Sequence, residues 1–367
     1  MLNLTQRKEI SLLKIVNCVT KYVFLMKIFK TLFLCLIATS FFAQESFPTN
    51  GVKNTFSPVY AFTNAHIIVS SEKEILNGTL LIQDDKILAV DSVVDIPAGA
   101  IIKNLNGDYV YPSFIDLYSN YGLIPPKKGK YVYRPQFESK KEGAYHWNEA
   151  IHPEINAVDE FTYNEKQSNE YLKSGFGVVL THQQDGIARG TGCLVSLSNE
   201  KEQKSILSQK SASFFSFKKG VSRQRYPNSL MGSVALLKQL FLDAYWHKNT
   251  NQTTNLSYNA FNNQLSLPHI FQTDLLTDYN RIYKISDEFE VEFIIKGNGK
   301  EYQRIEEIKS YEFPIILPLN YPLKYDIKNP EEADIITLSK LKHWETAPFN
   351  ARILSENSIE FCFTMFG

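Results

Sequence analysis

The sequence predicts a mixed α/β protein in which a small β region precedes a longer region of alternating strands and helices. Short runs of β-branched residues occupy positions 61–105, and beyond Pro112 apolar runs of strand length alternate with segments of helical period. Strands that alternate with helices form a parallel sheet, which is either closed into a barrel or open and doubly wound. Periodicity alone does not distinguish these two arrangements.

The N-terminal β region is defined by turn residues that separate its strands. The turn signals are Asn77-Gly78, Asp84-Asp85, Pro97-Ala98-Gly99 and Asn106-Gly107. The strands predicted between them are 61–69, 78–83, 86–90 and 101–105. These segments predict a small antiparallel sheet.

The longer region begins with a helix at 165–174, which Gly175 ends as a C-cap, and continues with a strand at 176–181. A second helix follows Pro227-Asn228-Ser229, because apolar residues from Leu230 to Ala244 recur there at helical spacing. Further helices are predicted at 278–289 and 301–309, and further strands at 193–197, 213–217, 269–272, 291–296, 314–319 and 359–364. Two polar segments without a period, 122–145 and 249–263, are predicted to be surface insertions.

The composition excludes one class of partner. The chain has 367 residues, of which 44% are hydrophobic and 21% are charged, which is enough for one large domain with or without a small one. Lys plus Arg and Asp plus Glu both total 39, so the formal net charge is zero. Because binding to phosphates needs a basic face and no basic run is present, we expect no nucleic-acid partner.

Residues 1–43 have the pattern of a leader with a signal peptide. Lys27 and Lys30 follow Met26, and an apolar run at 31–42 leads to Ala43, where cleavage is expected. The run is shorter than the ~20 residues of a membrane span, so an uncleaved anchor is the weaker alternative. We expect translation to start at Met26, the mature protein to be periplasmic or secreted, and no membrane contact beyond the signal peptide.

A family resemblance is found where the two regions join. The segments that establish it are Asn64-Ala65-His66-Ile67, Asn77-Gly78-Thr79-Leu80, Ile96-Pro97-Ala98-Gly99 and Tyr111-Pro112-Ser113-Phe114-Ile115-Asp116. Their order resembles the start of amidohydrolases, most closely the imidazolonepropionase-like metal-dependent hydrolases. The resemblance implies a composite β-sandwich domain at 58–111 and a TIM-like (β/α) barrel at 112–367. It also implies hydrolysis of carbon–nitrogen bonds other than peptide bonds, with a divalent metal such as zinc.

The metal ligands of that family are missing from this sequence. The family has His-x-His two residues after Asp116, on one face of the first barrel strand, where this chain has Tyr118-Ser119-Asn120. A neutral phenol and an amide are poor ligands for zinc. At the later ligand positions the chain has Gln272, Lys296 and, near the eighth strand, Met365 and Phe366. We therefore expect no metal cofactor.

One polar cluster follows the strand at 176–181 and is expected at the barrel mouth. Its polar residues are His182, Gln183, Gln184, Asp185 and Arg189, and the same segment contains Gly186, Gly190 and Gly192. His182 and Asp185 are candidates for an acid–base pair, and the glycines would let the backbone approach a ligand. The alternative is a hydrogen-bonded cap with no ligand. The predicted ligand-binding set, with no catalytic residue assigned, is Asp116, Tyr118, Asn120, His182, Asp185 and Arg189.

Three hypotheses follow for the function. In the first, the chain is an inactive pseudoenzyme. Because it ends on the apolar run 359–367 without a covering helix, its barrel would be an incomplete, truncated portion of a larger exported protein. Its partner would then be a second amidohydrolase barrel or a C-terminal segment encoded downstream. In the second hypothesis, the chain is an active C–N hydrolase with a remodelled site. In the third, it is a non-catalytic module that binds a ligand or a partner.

Overall fold

The computed structural model describes residues 57–130, 133, 135–198, 202–250 and 253–366. These residues belong to two compact units that divide between Tyr111 and Pro112. The predicted leader, residues 1–43, lies outside the described residues. Among the helices that are described, none is long and apolar enough to cross a membrane.

The first unit is a five-stranded sheet around a small apolar core. Its strands are β1 (Tyr60–Ile68), β2 (Glu74–Gln83), β3 (Lys86–Asp91), β4 (Ile101–Asn104) and β5 (Tyr109–Val110). The order is β3-β2-β1-β4, with β5 also paired to β1. Strands β1, β2 and β3 are antiparallel neighbours, as predicted, but β4 and β5 run parallel to β1. The prediction of a wholly antiparallel sheet is wrong because residues 92–100 carry the chain to the far edge of β1 instead of forming a hairpin.

The second unit contains an eight-stranded sheet in which neighbours follow chain order. Its strands are β6 (Phe114–Ser119), β7 (Phe176–Thr181), β8 (Ala188–Ser196), β9 (Ile206–Ser216), β10 (His269–Gln272), β11 (Phe293–Lys296), β12 (Ile315–Pro318) and β13 (Phe361–Thr364). All neighbouring pairs are parallel except those made by β8, which is antiparallel to β7 and to β9. The expectation of a purely parallel sheet is therefore wrong at β8. Only residues 182–187 join β7 to β8, and a parallel crossover needs about a dozen residues or more.

The last strand meets the first, which closes the sheet into a barrel. Thr364 Oγ1 donates to the carbonyl oxygen of Tyr118 at 2.9 Å, and the backbone N–H of Met365 donates to Asp116 Oδ2 at 3.1 Å. The closure thus depends on side-chain hydrogen bonds. The residues that follow β6 and β13 are brought together at one end of the barrel.

Helices cover the outside of the barrel, and their apolar faces form the largest core. They are α1 (Ala157–Glu160), α2 (Glu165–Lys173), α3 (Glu202–Ser205), α4 (Leu230–Thr250), α5 (Leu256–Gln264), α6 (Asp278–Phe289), α7 (Ile305–Lys309), α8 (Pro330–Asp334), α9 (Leu338–Thr346) and α10 (Asn350–Glu356). In α4 the predicted stripe is confirmed, since Leu237 and Ala244 are buried against the strands. Helix α5 contradicts the predicted insertion at 249–263. The side chain of Asn255 caps α5 by accepting from the N–H of Tyr258, and Phe261 is buried in the core.

Candidate functional site

A polar cleft of about 440 Å³ opens at the carboxyl ends of the barrel strands. Its charged side chains are Arg189, Lys218, Asp274 and Lys296, and its amide side chains are Gln184, Gln272, Asn298 and Asn320. Three of these side chains are cations and one is a carboxylate. Lys218 and Asp274 form an ion pair at 2.7 Å, and both are about half exposed at the rim. The remaining two cations, Arg189 and Lys296, are buried.

Arg189 is fixed in place by three neutral acceptors. Its Nε donates to the carbonyl of Gly186 at 3.1 Å, one terminal nitrogen donates to Tyr118 Oη at 2.7 Å, and the other donates to Gln272 Oε1 at 2.9 Å. Tyr118 Oη in turn donates to the same Gln272 oxygen at 2.9 Å. A guanidinium has five N–H groups, so two remain after these bonds. No carboxylate of the described chain forms an ion pair with Arg189, although the residue is only 3% exposed.

Lys296 ends strand β11 and is 5% exposed. Its ammonium lies 5.6 Å from the ring centroid of Tyr118, a cation–π contact. Within the ranges that the structure describes, Nζ has no hydrogen bond and no ion pair. Burial lowers the pKa of this lysine to about 8. The carboxylates of Glu301, Asp116 and Asp274 act against that shift, whereas Lys218 adds to it.

Asp116 has a structural position at the seam of the barrel. Its two oxygens accept from the backbone N–H groups of Tyr118 and Met365, at 2.9 and 3.1 Å. Burial raises the pKa of this carboxyl above its usual value, and the hydrogen bonds and the charge of Lys296 partly offset that rise. One oxygen binds within β6 and the other joins β6 to the residue after β13, so Asp116 supports the cleft without lining it.

His182 and Asp185 do not form the predicted acid–base pair. Burial lowers the pKa of His182 well below its usual value, with Arg189 adding to the effect, so the ring is neutral. It stacks on Phe214 with centroids 3.6 Å apart, and neither ring nitrogen has a hydrogen-bond partner among the described residues. Asp185 accepts from the N–H of Val221 at 2.6 Å and lies 3.6 Å from His152 Nε2. The loop after β7 therefore directs the two side chains to different neighbours.

The remaining member of the predicted set, Asn120, is half-buried in the turn after β6, where its carbonyl accepts from the N–H of Leu123 at 3.2 Å. Of the six predicted residues, only Arg189 lines the cleft directly. Tyr118 contacts it through Arg189, Gln272 and Lys296. The structure thus brings Asp116, Tyr118 and Arg189 to this end of the barrel but gives Asn120, His182 and Asp185 other surroundings.

The glycines of the cluster approach other parts of the protein closely. A Cβ on Gly190, which has φ of +80°, would lie 1.9 Å from the carbonyl oxygen of Ile155. A Cβ on Gly186 would lie 2.6 Å from the carbonyl oxygen of Ala150. These contacts let residues 150–156 hydrogen-bond along β8, for example through the N–H of Thr191 to Ile155 at 2.9 Å. These contacts give Gly186 and Gly190 a role in backbone packing, and their role in ligand approach stays a prediction.

Three residues that are central to the candidate site were not part of the predicted set. Gln272 and Lys296 each follow an apolar residue at the carboxyl end of a strand, and that position was the available signal. The resemblance had pointed to both positions only as places where a metal ligand is missing. The third is Gln184, whose Nε2 is buried without a hydrogen-bond partner in the described part of the chain.

The comparisons with known proteins identify the fold. No family model matches the sequence, and no curated protein matches it. Among solved structures, the crystal structure of an amidohydrolase from Thermotoga maritima MSB8 aligns with a TM-score of 0.62 at 16% identity, over 83% of this chain and 78% of that one. The chain has the amidohydrolase fold. This confirms the predicted fold class, a small β domain followed by a TIM-like barrel, which is the fold that the resemblance implied.

Two other solved structures align less closely. A prolidase complexed with N-methylphosphonate-L-proline gives a TM-score of 0.37 at 11% identity, over 83% of this chain and 78% of that one. An N-acetylglucosamine-6-phosphate deacetylase from Pasteurella multocida gives 0.25 at 16% identity, over 71% of this chain and 50% of that one. Scores this low do not add to the assignment of the fold.

The residues at the barrel mouth do not fit a divalent metal. Where the resemblance places metal-binding imidazoles, this amidohydrolase fold has Tyr118, Asn120, Gln272 and Lys296. The phenol of Tyr118 is held neutral, because burial raises its pKa above the usual value. Among the residues described, no group of three or more His, Cys, Asp or Glu side chains comes together. Two buried cations would also repel a metal ion at this place.

Proposed function

We propose that the second unit is a small-molecule-binding module built on the amidohydrolase fold, which uses the barrel mouth without a metal ion. The observation that supports this most is Lys296, a buried lysine at the end of β11 that faces a polar cleft and has no hydrogen bond or ion pair in the described chain. A charged side chain that binds nothing is costly to bury, so a ligand that accepts from it gives the residue a role.

The donor chemistry also favours binding over metal-dependent hydrolysis. Catalytic zinc needs three protein ligands and an open position. Here Tyr118 and Gln272 are occupied with each other and with Arg189. Replacing Tyr118 and Asn120 by histidine would supply only two imidazoles, beside a lysine and an arginine. We therefore expect the double variant to gain neither zinc nor amidase activity.

The test combines metal analysis with ligand screening of the full chain after dialysis against a chelator. We expect zinc well below one ion per chain, and a thermal shift with at least one small metabolite in the metal-free protein. The Tyr118→His/Asn120→His variant serves as the comparison for metal content only, and it should also contain zinc well below one ion per chain. About one zinc per chain, together with amidase activity that disappears on chelation, would contradict the proposal.

A second candidate is a metal-independent C–N hydrolase with a remodelled site. One observation favours it: the pKa of Lys296 is lowered to about 8, which suits an amine that accepts a proton near neutral pH. This candidate predicts hydrolysis of cyclic or linear amides in the presence of a chelator, and loss of that activity in Lys296→Met. Binding of an amide without turnover would favour the first candidate.

A further inference from the structure

We propose that the cleft binds the anionic oxygen group of its ligand, a carboxylate or a phosphoryl group, between Arg189 and Lys296. This inference rests on the proposed binding function of the barrel mouth and names the chemical class of the ligand. It follows from the hydrogen-bond donors that face the cleft and from the hydrogen bonds and ion pair that the nearby carboxylates already make.

Three side chains at the cleft have hydrogen-bond donors that no described residue accepts from. Arg189 has two N–H groups left after its three protein bonds, and Lys296 has three that no described residue accepts. Gln184 adds a buried Nε2 without a partner. Donors of this kind match a carboxylate or a phosphoryl group, because charged donors make strong hydrogen bonds to anionic oxygens.

The carboxylates closest to Lys296 are each engaged elsewhere. Asp274 pairs with Lys218 at the rim, at 2.7 Å. Asp116 accepts from two backbone N–H groups at the barrel seam. Glu301 accepts from the N–H of Asn298 at 2.7 Å and from the side-chain amide of Asn350 at 2.6 Å. None of these carboxylates accepts from Lys296, so its donors are left for a ligand, and the cleft lining itself contains three cations and one carboxylate.

The size of the cleft fits a small molecule. Its volume of about 440 Å³ lies within the range of ~300–1,000 Å³ that is typical of ligand pockets. A macromolecular partner would need a broad exposed basic face, whereas Arg189 and Lys296 are both almost fully buried. A small carboxylate or phosphate compound is the ligand that these dimensions favour.

The experiment is calorimetric titration of the dialysed full chain with malonate, with inorganic phosphate and with neutral malonamide, all at constant ionic strength. We expect malonate or phosphate to bind and malonamide not to bind; the preferred anion distinguishes the carboxylate from the phosphoryl source. Lys296→Met should weaken binding about tenfold or more, because a charge-assisted hydrogen bond is lost. Lys238→Met is the control, since it removes a lysine that pairs with Glu288 outside the cleft, and it should change binding less than threefold or so.

Lys296→Arg retains the charge and should retain most of the binding, which guards against an effect of misfolding in Lys296→Met. Equal weakening by Lys296→Met and Lys238→Met would overturn the inference, as would equal binding of malonamide and malonate. If only neutral metabolites from the ligand screen bind the metal-free protein, this inference fails while the proposed function stands. If nothing binds, both fail.

Discussion

Tyr118→Phe tests whether the Tyr118–Arg189–Gln272 network holds the barrel mouth together. The change removes one hydroxyl that accepts from Arg189 at 2.7 Å and donates to Gln272 at 2.9 Å. Losing a hydrogen bond to a buried charged group costs roughly 1.5–3 kcal/mol, and the loss of the bond to Gln272 adds about 1 kcal/mol. We therefore expect the free energy of unfolding to fall by about 3 kcal/mol.

Tyr171→Phe is the matched control for this experiment. It also removes one tyrosine hydroxyl, but that hydroxyl makes a single neutral hydrogen bond, 2.9 Å long, to Ser119. We expect a cost of about 1 kcal/mol. Urea unfolding followed by intrinsic fluorescence measures both changes, because all three tryptophans (Trp147, Trp246 and Trp344) lie in the second unit. If Tyr118→Phe is no more destabilising than Tyr171→Phe, the network does not hold Arg189 and the argument for an organised cleft is wrong.

Three further predictions concern the backbone, the pH dependence and the location. Gly190→Ala should unfold the protein or destabilise it by several times as much as Gly299→Ala, and thermal melts compare the two variants. Both glycines have φ of +80°, but a Cβ on Gly190 would clash with Ile155 whereas a Cβ on Gly299 meets only Pro318 at 3.7 Å. Affinity for malonate should fall as the pH rises through about 8, because the buried Lys296 loses its proton there. The stability of the ligand-free protein should rise between about pH 8 and pH 10.5, the pKa of an exposed lysine, because the unfolded chain binds more protons than the folded chain in that range. Malonate titration measures the first trend and urea unfolding the second, each at about pH 7 and about pH 10, and Lys296→Met should abolish both trends. We also propose that the mature protein is exported and begins near Ala43; N-terminal sequencing of periplasmic or secreted protein would contradict this if residues before Met26 were still attached.

The fold was largely predictable because its signals are local or belong to the family pattern. The stripe from Leu230 to Ala244 and the strand at 176–181 are visible in any window of the sequence, and both are present in the structure. The direction of β8 was not apparent, because residues 193–197 have the same apolar composition in a parallel strand as in an antiparallel one. The short connection at 182–187 was the available clue, and it was given less weight than the repeating pattern.

The cleft was less predictable, because its partners are distant in sequence. Tyr118 and Gln272 are 154 positions apart, and their hydrogen bond depends on the ring order of the strands. The sequence placed His182 beside Asp185 because the two are close along the chain, whereas His182 stacks on Phe214 and Asp185 bonds Val221. Proximity along a loop does not determine where neighbouring side chains point.

The side-chain closure of the barrel also bears on how the second unit folds. Strands β7, β8 and β9 pair through short connections, so they can associate early and at little entropic cost. The bond between Asp116 and Met365 joins residues 249 positions apart, and it can form only after the intervening strands are in order. Interactions that form after the rate-limiting barrier mainly govern how fast a protein unfolds. The cleft lies at this late-forming end of the barrel, so a bound ligand would act chiefly by prolonging the lifetime of the closed ring and would have little effect on the speed of its assembly.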